Sequence, residues 1–72
     1  MSNKISEYRK KLNLTQPQLA EKAGITSYTI IQRYENGQRI PTVYNAVRIA
    51  KALNATVEEV FPLEDEPTDK QD

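Results

Sequence analysis

Residues 15–37 read TQPQLAEKAGITSYTIIQRYENG, and the stretch spells two helices separated by a tight turn. Thr15 as N-cap with Gln18 three residues later makes a capping box, and Pro17 falls in the first turn, where its missing N–H costs nothing. Leu19, Ala20 and Ala23 form a narrow apolar stripe whose alanines let a neighbouring helix approach closely, and Gly24 ends that helix. The next helix begins after Ser27, and its two faces differ in kind as well as in polarity. At about 100° per residue, Tyr28, Gln32, Thr29 and Arg33 span roughly 0–140° while Ile30, Tyr34 and Ile31 span roughly 200–300°. One face is core. The other combines a phenol, an amide, a hydroxyl and a guanidinium, a set suited to hydrogen-bonded reading rather than to mere solubility. Asn36-Gly37 closes the helix as a left-handed stop.

Working outward, the same helical period recurs on both sides and no alternating, strand-like run appears. Upstream, Ile5, Tyr8 and Leu12 share one face, Ser6 and Lys10 the other, and Asn13 supplies the stop. Downstream, Gln38-Arg39-Ile40-Pro41 makes an exposed connection, and Thr42 caps a helix whose broad apolar face is Val43, Ala46, Val47, Ile49, Ala50 and Leu53, with Tyr44, Arg48 and Lys51 outside and Asn54 as the stop. Thr56 and Glu59 form a second capping box for a short final helix that turns Val57, Val60 and Phe61 back to the core before Pro62. The expectation is an all-α, compact five-helix domain over residues 1–61, followed by a disordered acidic tail over 62–72.

Composition narrows the chemistry. The 72 residues contain no cysteine, histidine or tryptophan, which removes disulfide staples, thiolate ligands and nucleophiles, and histidine-based relays. No metal, cofactor or small-molecule ligand is expected, and no enzymatic activity: Glu58 and Glu59 are adjacent on a short helix and point apart, and Glu21 belongs to a helix surface. A domain this small buries only about 60% of its unfolded surface and has roughly 4–10 kcal/mol of stability. Ten basic and ten acidic residues cancel overall, but they are segregated. Residues 62–72 carry five acids and one base, so residues 1–61 carry nine bases against five acids, a basic body with an acidic tail. No stretch approaches the ~18–20 apolar residues of a membrane span, and the start Met-Ser-Asn-Lys-Ile lacks the apolar core of a signal peptide. A cytoplasmic location is expected.

Two helices around a tight turn, the second two-faced, are the parts of a helix-turn-helix. Specific residues sharpen this. Leu14-Thr15-Gln16, Leu19-Ala20-Glu21-Lys22-Ala23-Gly24, Arg33-Tyr34-Glu35-Asn36-Gly37 with Arg39 and Pro41, Ile49-Ala50-Lys51-Ala52-Leu53 and Thr56-Val57-Glu58-Glu59-Val60-Phe61 closely resemble the Cro/cI-type (XRE) helix-turn-helix family over about residues 4–61. The resemblance implies a five-helix lambda-repressor-like fold with the helix-turn-helix at the second and third helices, and a sequence-specific regulator of transcription, a repressor, whose third helix reads double-stranded DNA in the major groove. It also implies a homodimer on a palindromic operator, and pairing of Arg9 with Glu35 to tie the first helix to the end of the third.

On that resemblance the base contacts fall to Tyr28, Thr29, Gln32 and Arg33: an amide can pair bidentately with adenine, and a guanidinium with guanine. Phosphate contacts fall to Gln16 at the start of the second helix and to Asn36, Gln38 and Arg39 after the third. Tyr44, Val57 and Phe61 are the candidate dimer patch. One departure from the family concerns spacing. Ten residues, Ile25 to Tyr34, separate Gly24 from Glu35, where nine is commonest in the family. Anchoring the register on Glu35-Asn36-Gly37 keeps Arg33 outside, whereas anchoring on Gly24 would bury an uncompensated guanidinium at a cost of several kcal/mol. A different class of function, an antitoxin or accessory subunit acting mainly through a protein partner, is the alternative. Gln32 and Arg33 on a basic face argue against it as the sole role.

Overall fold

A computed structural model describes residues 3–62, and these form five helices: α1 (Ile5–Lys11), α2 (Gln16–Ala23), α3 (Tyr28–Glu35), α4 (Val43–Ala52) and α5 (Val57–Val60). Each start is set by a local signal. Thr15 and Thr56 make reciprocal capping boxes with Gln18 and Glu59, Ser27 accepts from the Thr29 N–H, and Thr42 accepts from the Asn45 N–H. Left-handed residues follow four of the helices: Asn13 (φ 58°), Gly24 (φ 73°), Gly37 (φ 76°) and Asn54 (φ 57°). At Gly24 the chain turns sharply enough for the Ile25 N–H to reach back to the Ala20 carbonyl at 2.8 Å, which delivers Ile25 into the core.

The packing is centred on α2, which lies against both α3 and α4; α4 carries α5, and α1 lies on α3. Ile5, Leu19, Ile31, Ile49 and Val60, one from each helix, are the fully buried large side chains, each stabilising by about 1.5–3 kcal/mol. The ends of the domain meet, because the Lys4 N–H donates to the Val60 carbonyl at 2.7 Å. The four-residue turn Gly24–Ser27 leaves Ile31 and Tyr34 inside and Arg33 exposed, the register anchored on Glu35.

Four apolar residues expected in the core are not buried there. Leu12 follows the last turn of α1 and is 37% exposed, since the helix stops before its side chain can reach the packed face. Val43 (76%) and Val47 (36%) sit beside the α4 core stripe rather than in it. At about 100° per residue Ala46, Ile49, Ala50, Ala52 and Leu53 occupy roughly 180–340° of that helix, and Val43, Val47 and Tyr44 occupy roughly 0–100°. The sequence merges two sectors that packing separates. Val57, in the first turn of α5, is 38% exposed, while Val60 and Phe61 are buried. Pro62 is itself buried, so the packed body extends one residue past the expected boundary; the rest of the acidic tail lies outside the described residues.

Candidate nucleic-acid interface

Four side chains project from the outer face of α3. Tyr28, Gln32 and Arg33 are exposed and Thr29 is half-buried. Among the described residues none of these side chains takes part in a hydrogen bond or ion pair, so the donors and acceptors of Gln32 and Arg33 are free for a ligand. The opposite face holds the helix rigidly. Tyr34 is 4% exposed, its hydroxyl accepts from Asn45 Nδ2 at 2.9 Å, and its carbonyl accepts from Asn3 Nδ2 at 2.8 Å. Sequence reasoning assigned no role to Asn3 or Asn45, since each acts only through a residue distant in sequence.

The end of α3 is tied down by charge. Arg9 Nε donates to Glu35 Oε2 at 2.8 Å and Arg9 Nη2 to Glu35 Oε1 at 3.3 Å, with the two side chains only 13% and 9% exposed. Arg9 Nη1 donates at 2.8 Å to the carbonyl of Leu14, between α1 and α2. Glu35 is the only acid from Lys22 to Val57, a span with five bases. With its charge answered by Arg9, the exposed Arg33 and Arg39 are the charges left on α3 and the loop after it.

The expected phosphate-contact residues fall into two groups. Asn36, Gln38 and Arg39 are exposed on the loop after α3 and have no side-chain partner among the described residues. Gln16 differs. It is half-buried, and its Nε2 donates to Glu35 Oε1 at 3.1 Å. At the start of α2 the Thr15 N–H donates to Gln18 Oε1, Pro17 has none to offer and the Gln18 N–H donates to Thr15 Oγ1. That leaves the Gln16 N–H as the free backbone donor of the first turn.

Away from α3, Ile40, Pro41, Val43, Ala46, Val47, Val57 and Phe61, with Glu58 as the one charged residue, line an open, largely apolar groove of about 630 Å³ at α4 and α5. Of the expected dimer patch, Tyr44 (77% exposed) stands beside the groove and Val57 lines it, but Phe61 is only 6% exposed. Phe61 therefore belongs to the groove floor and the core; the exposed apolar surface comes from Ile40 (75%), Val43 and Val47, which the sequence reading left out. The adjacency of Val43, Tyr44 and Val47 on one helical sector was the available signal.

Comparison with known proteins agrees with this geometry. The helix-turn-helix family model matches residues 5–60. An HTH-type transcriptional regulator of Methanothermobacter thermautotrophicus is 43% identical over 67 residues, covering 92% of this chain and 96% of that protein. The cryptic phage CTXphi transcriptional repressor RstR of Vibrio cholerae is 38% identical over 60 residues, 83% of this chain; the chain spans about half (53%) of that repressor's length. Among solved structures, the restriction-modification controller protein C.AhdI of Aeromonas hydrophila superposes with a TM-score of 0.75 at 29% identity, covering 81% of this chain and 86% of that one. With the α2–turn–α3 unit, the free polar face of α3 and a family match across almost the whole helical body, the chain belongs to the Cro/cI-type (XRE) helix-turn-helix family of DNA-binding transcriptional regulators.

Proposed function

We propose that the chain is a sequence-specific repressor that inserts α3 into the major groove, reads bases through Gln32 and Arg33, touches the start of the site with Tyr28 and Thr29, and holds the two backbones with Gln16 on one side and Asn36, Gln38 and Arg39 on the other. The observation that carries this reading is the division of α3: a polar outer face without internal partners, set on a helix fixed by Ile31, Tyr34 and the Arg9–Glu35 pair. A surface that served only solubility would not need such rigid backing. The repressor sense is supported by the name of the Vibrio cholerae relative. Repression needs no chemistry at the site, only occupancy of an operator in the cytoplasm.

A second copy of the chain is the occupant proposed for the α4–α5 groove. Ile40, Val43, Tyr44, Val47 and Val57 together expose on the order of 500 Å² of apolar surface, at the upper end of what a monomer normally leaves open. That matches the apolar share, roughly 55–65%, of the ~800 Å² per partner in a stable interface, and a pair closed on a palindromic operator would set the two α3 helices about 34 Å apart.

Selection from a randomised duplex pool, followed by salt titration of the winning duplex, tests the assignment. Gln32→Ala and Arg33→Ala are expected to lose about 1–3 kcal/mol of discrimination each at one base position. Arg39→Ala should weaken all duplexes alike and flatten the plot of log K against log[salt] by about one. A pool that yields no motif, with binding left in the ~10⁻⁴–10⁻⁶ M non-specific range, would overturn the reading.

A further inference from the structure

One carboxylate joins three helices. Glu35, the last residue of α3, accepts from Arg9 of α1 and from Gln16, the first residue of α2, at the same Oε1 atom, 3.3 and 3.1 Å away. An ionised carboxylate only accepts, so the Gln16 amide must turn its NH₂ group toward Glu35. That group has a second N–H, and the Gln16 backbone N–H is the free donor of the α2 first turn, at the positive end of the helix dipole. Left to itself, an amide on three rotatable bonds would sample many orientations at an exposed helix start. Here its rotamer is selected from across the turn by the recognition helix.

We propose that Glu35 is a positioning residue for Gln16: it holds the Gln16 amide so that the phosphate donors of α2 are set at a fixed offset from the base-reading face of α3. The proposal rests on the DNA-reading assignment of α3 and adds to it a dependence of the phosphate clamp on Glu35. Electrostatics makes the arrangement workable only with Arg9 present, because a bare carboxylate this close to the clamp would repel the phosphate that Gln16 is to hold. Arg9 neutralises it, and Oε1, which accepts from Arg9 Nη2, has a second lone pair for Gln16. The consequence is that the cost of losing Gln16 depends on Glu35.

The test uses the full chain and a random-sequence duplex, so that no operator is required. Gln16→Ala is expected to weaken binding about fivefold, the loss of one hydrogen bond, without changing the salt slope, because no charge is removed. Gln16→Lys should steepen that slope by about one, since it adds a cation at a phosphate. Glu35→Met, which removes both acceptor oxygens, with Glu35→Asp as a second variant that keeps the charge but retracts the carboxylate, should weaken binding by a similar factor at temperatures where circular dichroism shows the helices intact. Adding Gln16→Ala to either Glu35 variant should then cost less than about twofold more, since the amide has already lost its orientation. Full additivity in both backgrounds, with the Gln16→Lys slope still raised, would overturn the coupling and leave the interface standing. An unchanged slope for Gln16→Lys would overturn both the clamp and the coupling.

Discussion

Arg9 uses all three nitrogens of its guanidinium: Nε and Nη2 hold Glu35 and Nη1 holds the Leu14 carbonyl, so one residue locks the α1–α2 connection and the end of α3 together. Replacing Arg9 by Met removes one member of a largely buried pair and leaves a carboxylate answered only by Gln16. The expected loss is about 3–5 kcal/mol, a large part of the ~4–10 kcal/mol available to a chain of this size, and urea melts would register it as a fall in midpoint. An unchanged midpoint would mean that the pair contributes little to folding. The pairing was legible in the sequence only through family resemblance, because 26 residues separate the two partners and no local pattern links them. The Gln16 bond was not legible at all, since the same residue reads equally well as a phosphate donor or a local cap.

Helix ends were the most readable elements. Both capping boxes, the threonine at the start of α4 and the four left-handed stops stand at the residues the sequence named, because caps are local chemistry within three or four residues. The shortest element depends on its cap most. α5 has four residues and cannot persist without packing and end bonds. Thr56→Ala removes the side-chain acceptor for the Glu59 N–H and leaves it only the Thr56 carbonyl; this should cost about 1 kcal/mol, visible in thermal melts and in faster amide exchange over residues 57–61. Equal exchange in the variant would show that burial of Val60 and Phe61 alone holds α5. The faces of α4 were less readable, since Val43 and Val47 differ from Ala46 and Ala50 only by a rotation about the axis, and hydrophobicity does not say where the neighbouring helices stop.

At the scale of the whole molecule, the apolar groove and the polar face of α3 are separate surfaces, and the proposed function gives the first to a second copy and the second to DNA. Tyr44→Asp puts a charge on a residue that is 77% exposed, so the monomer should keep its melting temperature while sedimentation at a fixed concentration shifts toward the monomer and operator affinity falls by about tenfold or more. Unaltered sedimentation would remove Tyr44 from the interface. By itself the sequence determined the helical class, the five elements with their starts and stops, the outward face of α3 and the register through Glu35, because period, capping and the cost of burying a lone guanidinium all act within a turn or two of the chain. Tertiary structure alone decided that Gln16 and Glu35 meet, that Asn3 and Asn45 serve Tyr34, and that Val43 and Val47 join Ile40 in lining a groove instead of filling the core. Each of those outcomes depends on how closely separate helices approach, and that distance is fixed by packing the whole set of side chains at once.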